Sequence, residues 1–411
     1  MSSRYYPRIV TILAVLLFFT NLDVYVYNTM LVSFPPLYLI LGFMVFAVAM
    51  IFSWTSPLIL RESLLARWCF GFLLISGVWF LFQTGDSEIG LQELRTRILS
   101  ISFILVLLCV FRSEDEFLWA RWAIFTAVLV AIGLNIYELF NPLTFSEVMG
   151  RSAGLYINPN ISGLALMIGL ILTIGLLRQR YRLLFAVVVG AAIFTTFSRA
   201  AIVGWLITVI ILIKRGQISL RRSLVIGCGI LAVSSILIVA AWDQLQYRLE
   251  DLGVLNSNVI ERAQWFNKPV AEDDSAIDRH DVAEIALEKF SDRPLFGNGV
   301  GASLRLLMVH GGLEISSHNQ YLNLMVDHGI LGVFILPLLV LALIWRSRGE
   351  ARDIAITLGL PILFMGFFSH NLLEERYILL PLALVSMMSL ASRRGPRVET
   401  PKPVNIVRKA A

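Results

Sequence analysis

The chain has 411 residues, of which 57% are hydrophobic and only 15% are charged, and its formal net charge is +5. A soluble protein of this length carries more charge and far less continuous apolar sequence, so the composition excludes that class. Several windows approach the roughly 20 apolar residues that cross a hydrocarbon core about 30 Å thick. These solid apolar runs exclude a β-barrel and predict an all-α polytopic membrane protein.

Twelve apolar segments are predicted to be transmembrane helices. The first begins near Ile9 and has no small-residue cleavage site, so we interpret it as a retained helix and not as a removed signal peptide. Cys69, Cys109 and Cys228 lie inside apolar runs without metal-ligand spacing, and we interpret them as membrane-embedded residues without a functional role. The predicted segments are residues 9–27, 36–54, 64–83, 94–111, 118–139, 160–177, 183–197, 199–213, 222–242, 319–345, 353–370 and 377–391.

Lys and Arg collect at every second connection between these segments, as in the run of Arg178, Arg180 and Arg182. The intervening connections are acidic or nearly uncharged, as at Glu374 and Glu375. Because basic connections face the cytoplasm, the pattern predicts that both termini are cytoplasmic and that the acidic connections are periplasmic.

One connection is much longer than the rest and leaves the membrane on the periplasmic side. It holds 13 Asp/Glu and 7 Lys/Arg, a net charge of −6, which leaves +11 for the remainder of the chain. The predicted organisation is therefore nine transmembrane helices in 1–242, a periplasmic loop in 243–318, three helices in 319–391 and a basic cytoplasmic tail in 392–411. Within the loop, "DVAEIALEKF" has the spacing of an amphipathic helix, and "RPLFGNGVGASL" is rich in turn residues. A long loop with its own helix is more often functional than a spacer.

Two arginines near the outer membrane boundary are candidates for anion binding. Arg199, in "TTFSRAAIVGW", lies between two apolar runs, where an arginine is costly unless it is paired or faces a watery cavity. It either snorkels to a helix end or forms an anion site. Arg151 opens "RSAGLYINPNISG", where the turn at Asn158 and Asn160 starts a helix whose N-terminal amides add positive potential. The simpler interpretation is that either asparagine only caps the helix, and such a cap is compatible with an anion site at the same helix end.

Two further residues belong to the long loop and its end. Arg279 lies at the start of the loop helix, where Asp278 and Asp281 could make it a surface ion pair. His318 lies at the predicted membrane boundary beside Asn319, in "EISSHNQYLNLMVDHGILG". A neutral imidazole there can accept a proton from an attacking hydroxyl, and a capping or interfacial histidine is the alternative.

Outer arginines, a helix N-terminus and a histidine together suit a diphosphate leaving group and an acceptor alcohol. A substrate of that kind in the outer leaflet is most simply a polyprenyl-diphosphate-linked glycan. The sequence contains no P-loop, dinucleotide fingerprint or zinc motif, and we expect no cofactor, no metal and no nucleic-acid partner. Nothing in the sequence specifies an oligomeric state.

Three motifs in order, "RSAGLYINPNISGLAL", "TTFSRAAIVGWLI" and "RPLFGNGVG…SSHNQYLNLMVDHGILGVFI", resemble the O-antigen ligase superfamily over residues ~150–345. The superfamily includes lipopolysaccharide O-antigen ligases, O-antigen polymerases and protein O-oligosaccharyltransferases. The resemblance implies an inverting, metal-independent glycosyltransferase of the periplasmic face, with an undecaprenyl-diphosphate glycan as donor. It implies that His318 activates the acceptor and that Arg199 and Arg279, with help from Arg151, bind the diphosphate, while Asn319, Asn158, Asn160 and Tyr321 support the site. The family's loop helix usually has a tryptophan one turn after its arginine, whereas Ala283 stands near that position here.

Within the superfamily, length, twelve spans and one dominant outer loop favour a ligase that joins O-antigen to lipid A–core. Protein-modifying relatives often have a sizeable additional soluble C-terminal part, while the stretch after Ala391 is short and basic. An O-antigen polymerase is the closest alternative. A twelve-helix transporter or flippase is the alternative from another class, but the two halves of the chain show no internal repeat of the kind that many transporters have.

Overall fold

The computed structural model describes residues 2–47, 56–82, 87–219, 221, 274–305 and 317–394, and all regular secondary structure within these ranges is helical. The α-helices in chain order are α1 (Ser2–Ala14), α2 (Leu22–Asn28), α3 (Pro36–Phe46), α4 (Ser56–Glu62), α5 (Leu64–Leu81), α6 (Ser87–Val110), α7 (Glu114–Phe140), α8 (Pro159–Thr173), α9 (Gln179–Phe194), α10 (Arg199–Lys214), α11 (Asp274–Asp292), α12 (Ala302–Arg305), α13 (Gln320–His328), α14 (Gly332–Ile344), α15 (Gly349–Met365) and α16 (Arg376–Arg394).

The helices confirm the all-α membrane class. Helices occur at eleven of the twelve predicted segments, and the ninth, residues 222–242, lies outside the described residues. Within the described residues, four helical stretches are long and apolar enough to cross a membrane: α5, α7, α8 with its terminal turn, and α13 joined to α14. The pair α1–α2, bent by 50°, is a fifth if it forms one span. The total of twelve spans stays a prediction, as does the full periplasmic loop, of which the structure describes residues 274–305 and 317–318.

Helix α8 lies at the centre of the bundle. Its sequence "NISGLALMIGLILT" is apolar on every side, as expected for a helix surrounded by others. The stretch Pro159–Leu176 is 78% buried, the highest fraction of the four membrane-crossing stretches. It packs against α7, α9, α10, α15 and α16. Close approach depends on small residues, because a side chain at Gly163 would overlap Ala201 of α10.

The predicted segments 183–197 and 199–213 are two separate helices, α9 and α10, of 16 residues each. Ser198 caps α10 by accepting a hydrogen bond from the Ala201 N–H at 3.4 Å. Trp205 of α10 links the two helices, since its indole N–H donates to the Ala186 carbonyl of α9 at 3.1 Å. The short connection therefore places Arg199 at the first residue of α10.

The segment predicted as the tenth span is interrupted by a short 3₁₀ turn between α13 and α14. The Gly-rich stretch "RPLFGNGVG" packs against this break. The Gly299 N–H donates to the Asp327 carbonyl at 3.1 Å, and the Ile330 N–H donates to the Pro294 carbonyl at 2.8 Å. These bonds satisfy backbone groups that lose their helical partners at the break.

The amphipathic helix expected in the long loop is present as α11. Its apolar residues Ala286 and Phe290 pack in a small cluster with Leu322 and Val326 of α13. The loop helix and the Gly-rich turn are thus both attached to the same short helix, α13.

Replacing Gly297 with alanine should loosen the docking of the Gly-rich turn. Gly297 has a φ of +73°, and a side chain there would overlap the backbone of Asp327 and Gly329. Gly216 has a similar φ of +69° with nothing within 4 Å of an added Cβ, so Gly216→Ala is the matched control. We expect the control to lose about 1–2 kcal/mol from backbone strain alone. Gly297→Ala should lose more, measured as the apparent melting temperature in detergent. Equal losses would contradict the docking.

Candidate active site

The motifs identified in the sequence meet at one end of the bundle. The Ser152 N–H donates to the backbone of the α9–α10 connection at 3.0 Å, and the Gln320 N–H donates to the backbone of the α15–α16 connection at 2.8 Å. The rings of Tyr156 and Tyr377 join these two halves, with centroids 6.0 Å apart. We call this end the motif end and define it by residues 151–160, 195–199, 317–320 and 366–376.

Arg151 is buried, with 5% of its surface exposed, and bridges two motifs. Its Nε donates to the Thr196 carbonyl at 2.8 Å and its Nη2 donates to the Asn160 Oδ1 at 3.0 Å. Asn158 is the N-cap of α8, because its Oδ1 accepts from the Asn160 N–H at 2.9 Å. The cap interpretation therefore holds for Asn158, while Asn160 connects α8 to Arg151.

A buried glutamate that the sequence analysis missed holds the chain before α8. The Glu138 carboxylate accepts hydrogen bonds from the backbone N–H groups of Phe145, Ser146, Ala153 and Gly154. Bonds from backbone amides to an ionised carboxylate are stronger than bonds between neutral groups, so one side chain fixes the loop on both sides. No local sequence signal separates Glu138 from a surface glutamate.

Arg199 is partly exposed at the motif end, at the first residue of α10. The N-terminus of a helix carries partial positive charge and unsatisfied N–H groups, which favour anions. The N-terminus of α8 lies close by, since Gly163 in its second turn contacts Ala201 of α10. The positive potential of Arg199 therefore adds to that of two helix ends.

His318 lies directly before α13 and has a φ of +47°, which is uncommon for residues other than glycine. Asn319 caps α13 by accepting bonds from the N–H groups of Tyr321 and Leu322 at 3.0 and 3.2 Å. Asn319 thereby fixes the backbone that follows His318. The His318 ring contacts the His370 ring edge-to-face, with 5.2 Å between centroids.

His370 is a second histidine at the site, and the sequence analysis gave it no role. Burial and the neighbouring His318 lower the pKa of His370 to about 4, so its imidazole is neutral near pH 7. A neutral imidazole has one donor and one acceptor nitrogen. From α13, the Tyr321 hydroxyl donates to the Leu363 carbonyl at 3.1 Å. Tyr321 thus holds α13 against α15.

A cavity of about 350 Å³ opens at the motif end and is lined by residues of α2, α6, the segment before α8 and the start of α16. Two neighbouring carboxyl groups, those of Glu374 and Glu375, face it. Burial raises the pKa of Glu374 to about 8 and that of Glu375 to about 7. In the sequence, these two residues stand out only as negative charges in a predicted periplasmic connection.

Arg279 and Arg97 lie on two other helices, α11 and α6. Arg279 lies in α11, and its side chain is outside the part of the chain that the structure describes, so its role stays a prediction. Arg97, on α6, is 6% exposed. Its guanidinium contacts Glu93 at 2.7 Å, Asp327 at 2.5 Å and a ring nitrogen of His328 at 2.7 Å. Arg97 therefore belongs to a buried ion cluster and does not line the motif end.

The motif end combines positive potential, an imidazole pair and two weakly acidic carboxyl groups. Positive groups can stabilise a departing diphosphate, and an imidazole can take a proton from a hydroxyl. Within the described ranges, no three His, Cys, Asp or Glu side chains are grouped as metal ligands.

Comparison with known proteins finds a match in the middle of the chain. Residues 184–337 match the model of a family described as O-antigen ligase. The matched stretch is less than half of the chain; it contains Arg199, Arg279 and His318, and it excludes Arg151 and Glu374. No curated protein and no solved structure matches the chain. The match confirms the expected resemblance and assigns residues 184–337 to the O-antigen ligase superfamily.

Proposed function

We propose that the protein is an O-antigen ligase, which transfers O-antigen polysaccharide from undecaprenyl diphosphate to a hydroxyl of lipid A–core. The observation that supports this most is that Arg199 and His318, both inside the matched family segment, lie on connections that meet at the motif end. O-antigen polymerase and protein O-oligosaccharyltransferase activities are the alternatives within the superfamily. A transporter or flippase does not fit the description of the matched family.

The opposite end of the bundle has the character of a cytoplasmic face. It carries the ion pairs of Arg8 with Asp115, of Arg394 with Glu62 and of Arg215 with Asp353. Basic residues are retained on the cytoplasmic side of bacterial membrane proteins. The motif end is then periplasmic in the inner membrane, where a lipid carrier presents its glycan and no nucleotide is required.

The donor diphosphate binds beside Arg199 and the N-termini of α8 and α10. Arginine forms short, charge-assisted hydrogen bonds to phosphate oxygens, and the helix ends add N–H donors. These groups stabilise the negative charge that grows on the diphosphate as the glycosidic bond breaks. Arg279 of α11 is the second arginine assigned to the donor.

His318 activates the acceptor. An unprotonated ring nitrogen of His318 takes the proton of the acceptor hydroxyl, while the oxygen bonds to the anomeric carbon of the glycan. The bond from that carbon to the diphosphate oxygen breaks with its electron pair, so undecaprenyl diphosphate leaves and the configuration inverts. The contact with the neutral ring of His370 helps to orient His318 for this step.

Removing the imidazole should abolish transfer without unfolding the protein. His318→Asn is the sharpest variant, because asparagine tolerates the left-handed backbone at this position. Loss of a general base lowers a rate about 100- to 10,000-fold. The assay uses proteoliposomes with undecaprenyl-linked glycan and lipid A–core, and His370→Asn, which leaves the His318 base in place, should lose far less activity. Near-normal transfer by His318→Asn would remove this residue from the mechanism.

Arg199→Ala should raise the KM for the donor about tenfold or more, as expected for a lost hydrogen bond to a charged group. The KM for lipid A–core should change little. Arg95→Ala is the matched control, since Arg95 is an exposed arginine on α6. An unchanged donor KM, or an equal rise in both KM values, would contradict the diphosphate role.

A further inference from the structure

The cavity at the motif end has the wrong charge for a phosphate site. Its volume of about 350 Å³ is at the lower end of the range for small-molecule pockets, roughly 300–1,000 Å³. Glu147, Glu374 and Glu375 line it, and Arg376 is the one cation among its described lining residues. The Arg376 Nε lies 2.7 Å from the carboxylate of Asp23, which offsets its charge. The wall therefore has no net positive charge for a diphosphate.

Glu374 is placed to hydrogen-bond to a ligand. Within the described part of the chain, its carboxyl group accepts no hydrogen bond from the protein, whereas Glu375 accepts one from the Asn371 side-chain amide. Burial and the nearby Glu93 raise the pKa of Glu374 to about 8, so near pH 7 its carboxyl group is mostly neutral and both donates and accepts. Glu374 is half-buried and faces the cavity, so a ligand hydroxyl can reach its carboxyl group.

The rest of the wall suits a sugar ring. The side chains of Asn28, Asn158 and Ser100 offer amide and hydroxyl groups, and Phe103 and Tyr156 offer aromatic surface. A mostly apolar wall with a few fixed polar groups is the usual composition of a pocket that orients a small ligand. Uncharged sugar hydroxyl groups match these donors and acceptors, whereas the wall supplies no net positive charge for an anionic ligand.

The cavity adjoins both halves of the proposed transfer site. Asn158 caps α8, and the next residues of α8 connect through Asn160 to Arg151. Glu374 belongs to the same short connection as His370, whose ring contacts His318. The cavity and the acceptor-activating histidine are therefore linked through the 366–376 connection.

We propose that this cavity is the acceptor subsite, which binds uncharged sugar hydroxyl groups of lipid A–core, and that Glu374 is a principal hydrogen-bonding group in it. The assignment rests on the proposed function and adds a location and a charge preference for the second substrate. The donor diphosphate binds on the cationic side, at Arg199, and the acceptor sugar binds on the carboxyl side.

The test measures both KM values in proteoliposomes, with rough lipopolysaccharide (lipid A–core without O-antigen) as acceptor probe and undecaprenyl-linked glycan as donor. Glu374→Ala should raise the KM for rough lipopolysaccharide about fivefold, as expected for one lost hydrogen bond. Glu374→Gln, which keeps a neutral donor and acceptor, should stay within about twofold of the wild type. Glu288→Gln, at an exposed position of α11, is the control and should change neither value.

A second variant tests the cavity independently of charge. Thr96 lines it from α6, and Thr96→Trp would fill much of its volume. The KM for rough lipopolysaccharide should rise more than that for the donor. If Glu374→Ala protein fails to accumulate, this variant and Glu374→Gln decide the question.

Two results distinguish this assignment from the proposed function. If the wild-type protein transfers the glycan but Glu374→Ala and Thr96→Trp leave the acceptor KM unchanged, or raise only the donor KM, the subsite is wrong and the ligase proposal stands. If the wild-type protein transfers no glycan to rough lipopolysaccharide, both proposals fail.

Discussion

The ion cluster around Arg97 is the interaction on which the rest of the described structure depends. A charge within an apolar bundle must be satisfied by the protein itself, and Glu93 and Asp327 provide this for Arg97. The Asp327 carboxylate also accepts the backbone N–H of Ser303 at 3.0 Å and that of Gly301 at 3.4 Å. One buried guanidinium therefore fixes α6, the break after α13 and the Gly-rich turn relative to one another. The loop helix α11 packs on α13, so its position depends on the same ion cluster.

This anchoring has a consequence for the motif end. Since α13 is held at its C-terminal end by the Arg97 cluster and at its N-terminal end by Gln320 and the cap at Asn319, the position of His318 is determined from both sides. Positive potential gathers at the starts of α8 and α10, while the carboxyl groups of the α15–α16 connection face the cavity. The two sides differ in charge, which suits the proposed transfer from an anionic donor to a hydroxyl acceptor.

Helix positions could be predicted from the sequence because apolar length is a local signal, whereas the roles of Arg199, Arg279 and His318 stay predictions. Asn158 was expected as a cap and is one. The break after α13 was not predicted, because residues 319–345 were expected to form one span, and the hydrogen bonds that hold the break come from a turn some 30 residues earlier. Glu138 was missed because its partners lie 7 to 16 residues further on in an irregular segment, and the His318–His370 contact was missed because the two residues are far apart in the sequence. The burial of Arg97 depends on carboxylate partners on α6 and α13, and the one on α13 is 230 residues away in the sequence.

The central claim is that the chain joins finished O-antigen to lipid A–core. The most direct measurement is the lipopolysaccharide profile of a strain that lacks the gene, together with the analysis of its undecaprenyl-linked glycans. The account predicts that the whole O-antigen ladder disappears from lipopolysaccharide while long polymer accumulates on the lipid carrier. Core bearing a single repeat unit would instead identify a polymerase. An unchanged ladder would contradict any role in lipopolysaccharide maturation.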